Sequence, residues 1–382
     1  MQAYLDNSAT TFVSEKAAQA AYDCMRTSFY NPSAQYYPAV KAEKMLQMCR
    51  AEILSELNAK NKAEVYFTSG GTEANNLAIF GTAYASRKKH VAFLCVEHPS
   101  VRACCEELEQ QGYTVDEIPV DLKGQIVWDR LEAILSSGDV SLVSCMQVNN
   151  ETGAITDTAR VSEMIRRLSP DTKFHVDGVQ GFLRSKMDLN LCDLYTLSGH
   201  KIHAPKGIGA LVVKRGVRLR PRQIGGGQQN GVRSGTENTP AIAGLYTAVH
   251  ELRECAGFTD GIMKNKLLLA QSVREKIPEA VFFGPDPEDG ACHIINIGFP
   301  GVRGEVMLHA LEEKDVFVST GSACSSKKRK VSPILLSMGY PADVAEGAVR
   351  FSLSRYTTAE EIAYAAEVIA EKYEILKKFK RR

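Results

Sequence analysis

A chain of 382 residues exceeds one ordinary core and suggests two domains on a ~150-residue scale. Hydrophobic residues make up 44% and charged residues 24%, so a sizeable core is expected and wholesale disorder is excluded. Lys and Arg number 46 against 45 Asp and Glu, a formal net charge of +1, which supplies no global field for nucleic acid or an anionic membrane.

Residues 1–12 carry acid and amide side chains where a signal peptide needs a basic flank and an apolar run. No stretch approaches ~18 uninterrupted apolar residues, so no membrane span is expected. The ten Cys include no CxxC pair. The expectation is a cytoplasmic chain whose cysteines remain thiols, most of them small core hydrophobes.

In chain order, Val65–Phe67 reads as a strand, Thr68-Ser69-Gly70-Gly71 as a tight turn, and Glu73–Phe80 as a helix. Val91–Val96 is a strand and Val101–Gln111 a helix, and further buried strands follow at Val140–Gln147, Phe174–Val176, Leu194–Leu197 and Gly209–Val213. Such alternation predicts a mostly parallel sheet covered on both faces, a large α/β domain over residues 14–255. Gly257–Gly261 is a candidate boundary. A helix at Ile262–Ile277, a strand at Ala291–Gly298, a helix at Glu305–Lys314, a strand at Val316–Ser319 and a long helix at Thr358–Phe379 come after it. These describe a smaller α+β domain, assigned residues 1–13 and 256–382. The basic end, Lys377–Arg382, reads as a solvated helix terminus.

Lys201 follows the strand ending at Leu197, within Ser198-Gly199-His200-Lys201. A lysine just past the carboxyl end of a parallel strand stands where open α/β sheets bind ligands, although one lysine alone reads equally as a surface side chain. Asp177 ends another strand; it is either a helix cap or the carboxylate that keeps a pyridinium nitrogen protonated. Gln180, three residues on, could reach the same ring's phenolic oxygen. The Thr68–Gly71 turn before a helix is an anion cradle or simply a tight connection, and it lacks the lysine of a P-loop. Thr236, in Arg233-Ser234-Gly235-Thr236, is a second phosphate-ligand candidate. Cys324 lies among small residues ahead of Lys327-Lys328-Arg329-Lys330, a setting that favours thiolate and suits a mobile, exposed loop better than a buried cysteine.

Taken together these segments resemble the pyridoxal-phosphate-dependent cysteine desulfurases of the NifS/IscS-like branch, in the class V aminotransferase group of fold type I. The resemblance runs through Tyr4–Thr11, Thr68–Asn76, Glu97–Val101, Val148–Gly153, His175–Gln180, Ser198–Lys201, Arg233–Thr236, Gly321–Cys324 and Arg350–Ser354. It implies pyridoxal 5'-phosphate as cofactor, held covalently by Lys201, with Asp177 on the ring nitrogen and His98 stacked on the ring as proton shuttle. Gln180 and Asn150 would stand by the phenolic oxygen or the substrate. Gly71, Thr72, Ser198 and His200 would hold the phosphate, with Thr236 reaching it from the partner subunit of a homodimer. Arg350, assisted by Asn31, would clamp the substrate carboxylate. L-Cysteine would become L-alanine while Cys324 takes its sulfur as a persulfide and passes it to an acceptor protein.

Tyr36 and Ala204 depart from the usual His and Gly without removing a group the chemistry needs. The basic run after Cys324 replaces a more familiar sequence, and suits an iron–sulfur scaffold or a tRNA-thiolation enzyme as acceptor, or is a solvated face; direct nucleic-acid binding is not expected. Other class V chemistries are the alternatives: a selenocysteine lyase, a kynureninase-like hydrolase or an aminotransferase. A non-enzymatic persulfide carrier is a different class of reading, opposed by the presence of Lys201, Asp177 and His98 together. His200 and His203 form HxxH, but no Cys pair nearby completes tetrahedral ligation, so no metal site is assigned.

Overall fold

A computed structural model describes residues 1–321 and 331–379. The strands are β1 (Ala3–Tyr4), β2 (Ala63–Thr68), β3 (His90–Leu94), β4 (Thr114–Ile118), β5 (Val140–Met146), β6 (Lys173–Asp177), β7 (Leu194–Ser198), β8 (Gly209–Lys214), β9 (Val281–Phe283), β10 (Ile294–Gly298), β11 (Val316–Phe317) and β12 (Ala348–Ser352). The helices are α1 (Glu15–Thr27), α2 (Tyr37–Glu56), α3 (Gly71–Ala85), α4 (Pro99–Gln110), α5 (Trp128–Ser136), α6 (Thr158–Leu168), α7 (Thr239–Glu254), α8 (Phe258–Lys276), α9 (Gly304–Glu312), α10 (Pro333–Ser337), α11 (Ala342–Ala345) and α12 (Ala359–Leu376).

Seven strands form one sheet in the order β2-β8-β7-β6-β5-β3-β4. The run from β7 to β4 is parallel, and β8 is antiparallel to both of its neighbours. The fold is therefore α/β with a mostly parallel central sheet. β3, apolar from Val91 to Leu94, shows why a central strand of this sheet has apolar residues on both faces. Val91 and Phe93 pack on one face against Ala74, Leu77, Val101 and Leu108 of α3 and α4. Ala92 and Leu94 join the opposite core with Leu46, Val161 and Ile242 of α2, α6 and α7. Alternate residues thus meet two different helix layers, so both phases of the period-2 pattern must be hydrophobic.

A three-stranded antiparallel sheet, β12-β10-β9, and the parallel pair β1-β11 lie outside that sheet. Ala3 and Leu5 are buried in a core with Leu269, Ile295, Phe351 and Ile369. The amino terminus thus joins elements more than 250 residues away in sequence, through β1's register of Ala3 with Val316. Phe283, Ile334 and Leu335 pack into the core beneath the large sheet, so the two regions share an apolar contact.

Several boundaries differ from the sequence reading. α8 begins at Phe258 rather than Ile262: Gly257, at φ 72°, takes the left-handed turn just before the helix, and Gly261 lies inside it. A helical Gly costs about 1 kcal/mol against Ala, which the packing of Ile262, Leu269 and Val273 outweighs. β10 starts at Ile294, not Ala291, because the Ala291 N–H donates to Gly153 O at 2.8 Å instead of to a neighbouring strand. β11 stops at Phe317, with Ser319 making only an isolated bridge to Arg350. α12 gives way at Lys377 to a short 3-10 turn. β4 went unread because it is a margin strand whose side chains are mostly half-buried or exposed, and no apolar run marks it.

Candidate active site

The carboxyl ends of β2, β3, β5, β6 and β7 meet at a cavity of about 300 Å³. Gly71, Thr72, His98, Asn150, Asp177, Gln180, Ser198, His200, Lys201 and Arg350 all line it, so the structure brings these ten sequence-predicted residues together. They come from five separate strand–loop connections and from β12, which explains why no short motif contains them.

At one end stands the first turn of α3, preceded by Gly70, whose N-terminus no side chain caps. Gly71 faces the cavity, and a Cβ there would come within 2.7 Å of Val179 Cγ2 and 3.5 Å of Ser198 Cβ. Backbone N–H groups, the Ser198 hydroxyl and His200 make this end suited to an anion such as phosphate. Burial first, then Lys201 and Lys206, lower the His200 pKa to about 4, so its ring is neutral near pH 7. Behind the turn, Glu73 accepts from Ser69 N at 2.7 Å and from Arg233 Nε at 2.7 Å. Burial works against its ionisation, but these bonds outweigh burial and hold its carboxyl below the usual range.

Asp177 ends β6 with both carboxyl oxygens engaged: Oδ1 accepts from Val179 N at 3.0 Å and Oδ2 from Asn75 Nδ2 at 2.8 Å. Asn75 also donates to Ser100 Oγ at 2.9 Å, and Ser100 meets His98 Nδ1 through its N–H at 3.1 Å and its hydroxyl at 2.8 Å. A ring nitrogen that accepts a backbone N–H holds no proton, so neutral His98 carries its proton on Nε2. Burial lowers the His98 pKa, with Asp177 opposing and Lys201 assisting, so the neutral ring is the resting form.

Lys201 sits on the 3-10 turn after β7, and its Nζ donates to the carbonyls of Ser8 and Ala9 at 2.6 and 2.8 Å. Gln180 Nε2 donates to the same Ser8 carbonyl at 3.0 Å, while Gln180 Oε1 lies 3.3 Å from His293 Nε2. Arg184 reaches the Lys201 carbonyl and lies 3.5 Å from Gln180 Oε1. The N-terminal segment is thus part of the site wall, pinned by Thr11 N to His200 O at 2.9 Å and Ser14 N to His203 O at 3.0 Å.

Arg350 projects from β12, with Nη2 on Asp6 Oδ1 at 2.7 Å and Nη1 on Asn150 O at 3.0 Å. Its Nε is buried with no hydrogen-bond partner among the described residues, and so are Asn150 Oδ1 and Ser8 Oγ. Asn75 Oδ1 is a fourth such atom; orphaned buried polar atoms are costly, and four on residues lining one cavity call for a polar ligand that completes them. The arrangement offers an anion cradle at one end, a carboxylate for a basic ring nitrogen, an amine for a carbonyl carbon, and a guanidinium beside the remaining space. Pyridoxal phosphate with an amino-acid substrate fits that donor set.

A second cavity of about 420 Å³ shares His98, Asn150 and Arg350 with the first and extends to Thr320 and Gly321. Cys324 lies outside the described residues. Asn31 is exposed and does not line the main cavity; its Oδ1 accepts from Ser33 N at 2.9 Å. Thr236 is exposed and also does not line that cavity. His200 and His203 turn to different partners, Thr10 Oγ1 and the Phe12 carbonyl. No group of three His, Cys, Asp or Glu could hold a metal ion among the described residues, and no described helix is long and apolar enough to cross a membrane.

Asn75, Ser100, Ser8, Asp6, Arg184 and His293 were missed as site residues. Asn75 had a legible signal: it follows Gly71 by one helical turn on a face otherwise filled by Ala74 and Ala78. His293 and Arg184 had none, because only the tertiary contact with Gln180 gives them a place.

The profile of the aminotransferase class-V family matches residues 3–364. A cysteine desulfurase of Trichormus azollae is 40% identical over 380 residues, covering 98% of this chain and 93% of the relative. The cysteine desulfurase NifS of Azotobacter vinelandii is 37% identical over 367 residues, 94% of this chain and 89% of the relative. A solved NifS-like protein superposes with a TM-score of 0.91 at 29% identity, covering 98% of this chain and all of that one.

Proposed function

The chain belongs to the class-V aminotransferase family, and from that premise we infer that it is a cysteine desulfurase that converts L-cysteine to L-alanine and takes the sulfur as a persulfide on Cys324. The observation that carries this over simple transamination is the second cavity. It leads from His98 and Arg350 to Gly321, three residues before Cys324. Three residues of chain span at most roughly 11 Å.

When bound, pyridoxal phosphate supplies a ring able to delocalise the electron pair left by loss of the substrate's Cα proton. Asp177 is the residue to hold a proton on the ring nitrogen, and Asn75 fixes its orientation. The α3 turn, Ser198 and His200 would hold the phosphate, with Thr236 reaching it from the partner subunit of a homodimer. Exposed Tyr22, Met25, Phe29, Tyr36, Tyr37 and Val40 on and between α1 and α2 support such an apolar interface. Lys201 would hold the cofactor covalently, and its Nζ would carry the Cα proton once released. His98, with its proton on Nε2, would serve as the proton shuttle. Arg350 would orient the substrate through its carboxylate, with Nε and the second N–H of each Nη as donors, and Asn31 would assist from the loop before α2.

Sulfur transfer balances without an outside oxidant. The Cys324 thiolate bonds to the substrate sulfur, the carbon–sulfur bond breaks, and its electron pair remains with carbon, which ends as the methyl group of alanine. Sulfur is oxidised to the persulfide level as carbon is reduced. The persulfide then passes to a sulfur-acceptor protein of iron–sulfur assembly or tRNA thiolation.

The test compares native and Cys324→Ala protein, loaded with pyridoxal phosphate, for alanine and sulfide released from L-cysteine with dithiothreitol present. Equimolar products from the native form alone are expected. Equal turnover by both forms would make the protein a lyase, and no alanine from either would remove cysteine as substrate.

A further inference from the structure

Glu151 stands one residue past Asn150, and no step above uses it. Its side chain is buried, and Oε2 accepts a 2.5 Å hydrogen bond from Ser332 Oγ. The same carboxyl packs directly against Gly321, where a Cβ would fall 2.1 Å from Oε2 and 2.7 Å from Cδ. Gly321 precedes Cys324 by three residues and Ser332 follows it by eight, so one carboxyl group touches the chain on both sides of the cysteine.

Each contact is fixed from behind. The Glu151 N–H donates to Asn149 Oδ1 at 3.0 Å, and its carbonyl accepts from Asn296 Nδ2 at 3.2 Å. Ser332 caps α10, its Oγ accepting from Leu335 N at 3.3 Å while its proton goes to Glu151. Ser319, two residues before Gly321, is tied to Arg350 by two backbone hydrogen bonds of 3.2 and 2.7 Å. Arg350 in turn holds the Asn150 carbonyl. The chain on either side of Cys324 and the substrate clamp therefore share one bonded network centred on a carboxyl that does not line the main cavity. Burial drives the Glu151 pKa up to about 7 against the pull of Ser332 and Arg350. An amide is thus a close electrostatic substitute, whereas Ala removes the acceptor.

We propose that Glu151 is a positioning residue for sulfur transfer, setting where Gly321 and Ser332 stand relative to the Asn150–Arg350 clamp. The proposal rests on the desulfurase reading. It separates two half-reactions: Glu151 serves the one that needs Cys324 and is dispensable for the one that does not.

The experiment uses full-length, cofactor-loaded protein in single turnover with L-cysteine. The cofactor's visible absorbance change reports substrate engagement, and mass spectrometry of alkylated protein reports the Cys324 persulfide. In Glu151→Ala the absorbance change persists with half-saturating cysteine within about twofold of native, while persulfide formation slows at least tenfold. Gly321→Ala, which pushes on the carboxyl from the other side, has the same split, and Glu151→Gln recovers to within about threefold of native. Ser332→Ala tests the same tie if Glu151→Ala fails to fold. Persulfide formation at the native rate in Glu151→Ala or Ser332→Ala overturns the proposal, and so does loss of the absorbance change in step with the persulfide. A native protein that forms no persulfide at all would instead sink the desulfurase reading beneath it.

Discussion

The amide nitrogen of Asn75 lies 2.8 Å from Oδ2 of Asp177 and 2.9 Å from Ser100 Oγ, so one side chain orients both the carboxylate at the end of β6 and, through Ser100, the imidazole of His98. Two groups with different tasks thereby depend on one helix position.

Replacing that position by Ala leaves Asp177 Oδ2 without its donor, with only Val179 N–H still on Oδ1, and Ser100 free to turn. Loss of such a bond costs about 1–3 kcal/mol. Asn75→Ala is expected to lower kcat for alanine formation about 10- to 100-fold, with a smaller change in KM. Unchanged steady-state kinetics would show that Val179 N–H and the ring itself suffice to hold Asp177.

Arg350 gives one N–H of Nη1 to Asn150 and one of Nη2 to Asp6, so Nε and the second N–H of each Nη remain for the carboxylate of the proposed substrate. Lysine preserves the charge but not the planar fork that makes these contacts together. Arg350→Lys is expected to raise the KM for L-cysteine at least tenfold with the fold intact by circular dichroism. A native KM would move the carboxylate clamp elsewhere in the cavity.

Gly71 has room for no side chain on the cavity wall. Gly71→Ala is expected to weaken pyridoxal phosphate binding about tenfold or more, read by absorbance titration, while binding of unphosphorylated pyridoxal changes little. If both ligands weaken equally, the α3 turn does not hold the phosphate.

His175 is fully buried between Ser144 Oγ and Thr196 Oγ1, each 2.9 Å from a ring nitrogen. Burial lowers its pKa to about 4, with Asp177 opposing. The unfolded chain, with His near 6.5, then binds more protons than the native protein between about pH 4 and 6.5. Stability rises with pH across that window and is lost as pH falls through it, by about 3 kcal/mol for this residue. Denaturant unfolding at pH 7, 5.5 and 4 should show the drop, and His175→Asn should have a shallower slope. A slope unaffected by the substitution would assign acid lability to the other buried histidines.

The parallel sheet was legible because strands such as β3 are buried on both faces, which leaves the continuous hydrophobic run Val91–Val96 ahead of a helical pattern. Lys201, Asp177 and the α3 turn were legible for a related reason: strand ends in such sheets are where ligands bind, and each strand end is marked in the chain itself. β4 and the start of α8 were not, since a margin strand and a glycine inside a helix each contradict local pattern and are held by their neighbours.

Local chemistry in the chain thus specified which residue types the site would contain and in which connections they would lie. It could not specify that Arg350 would meet Asn150 from 200 positions away, that Ser8 would share its carbonyl between Lys201 and Gln180, or that Glu151 would touch Gly321 and Ser332 at once. Those contacts exist only after β1 and β12 close on the large sheet. Hydrogen bonds reach about 3 Å and carry no signature along the chain, whereas hydrophobic periodicity repeats over whole elements and can be read residue by residue.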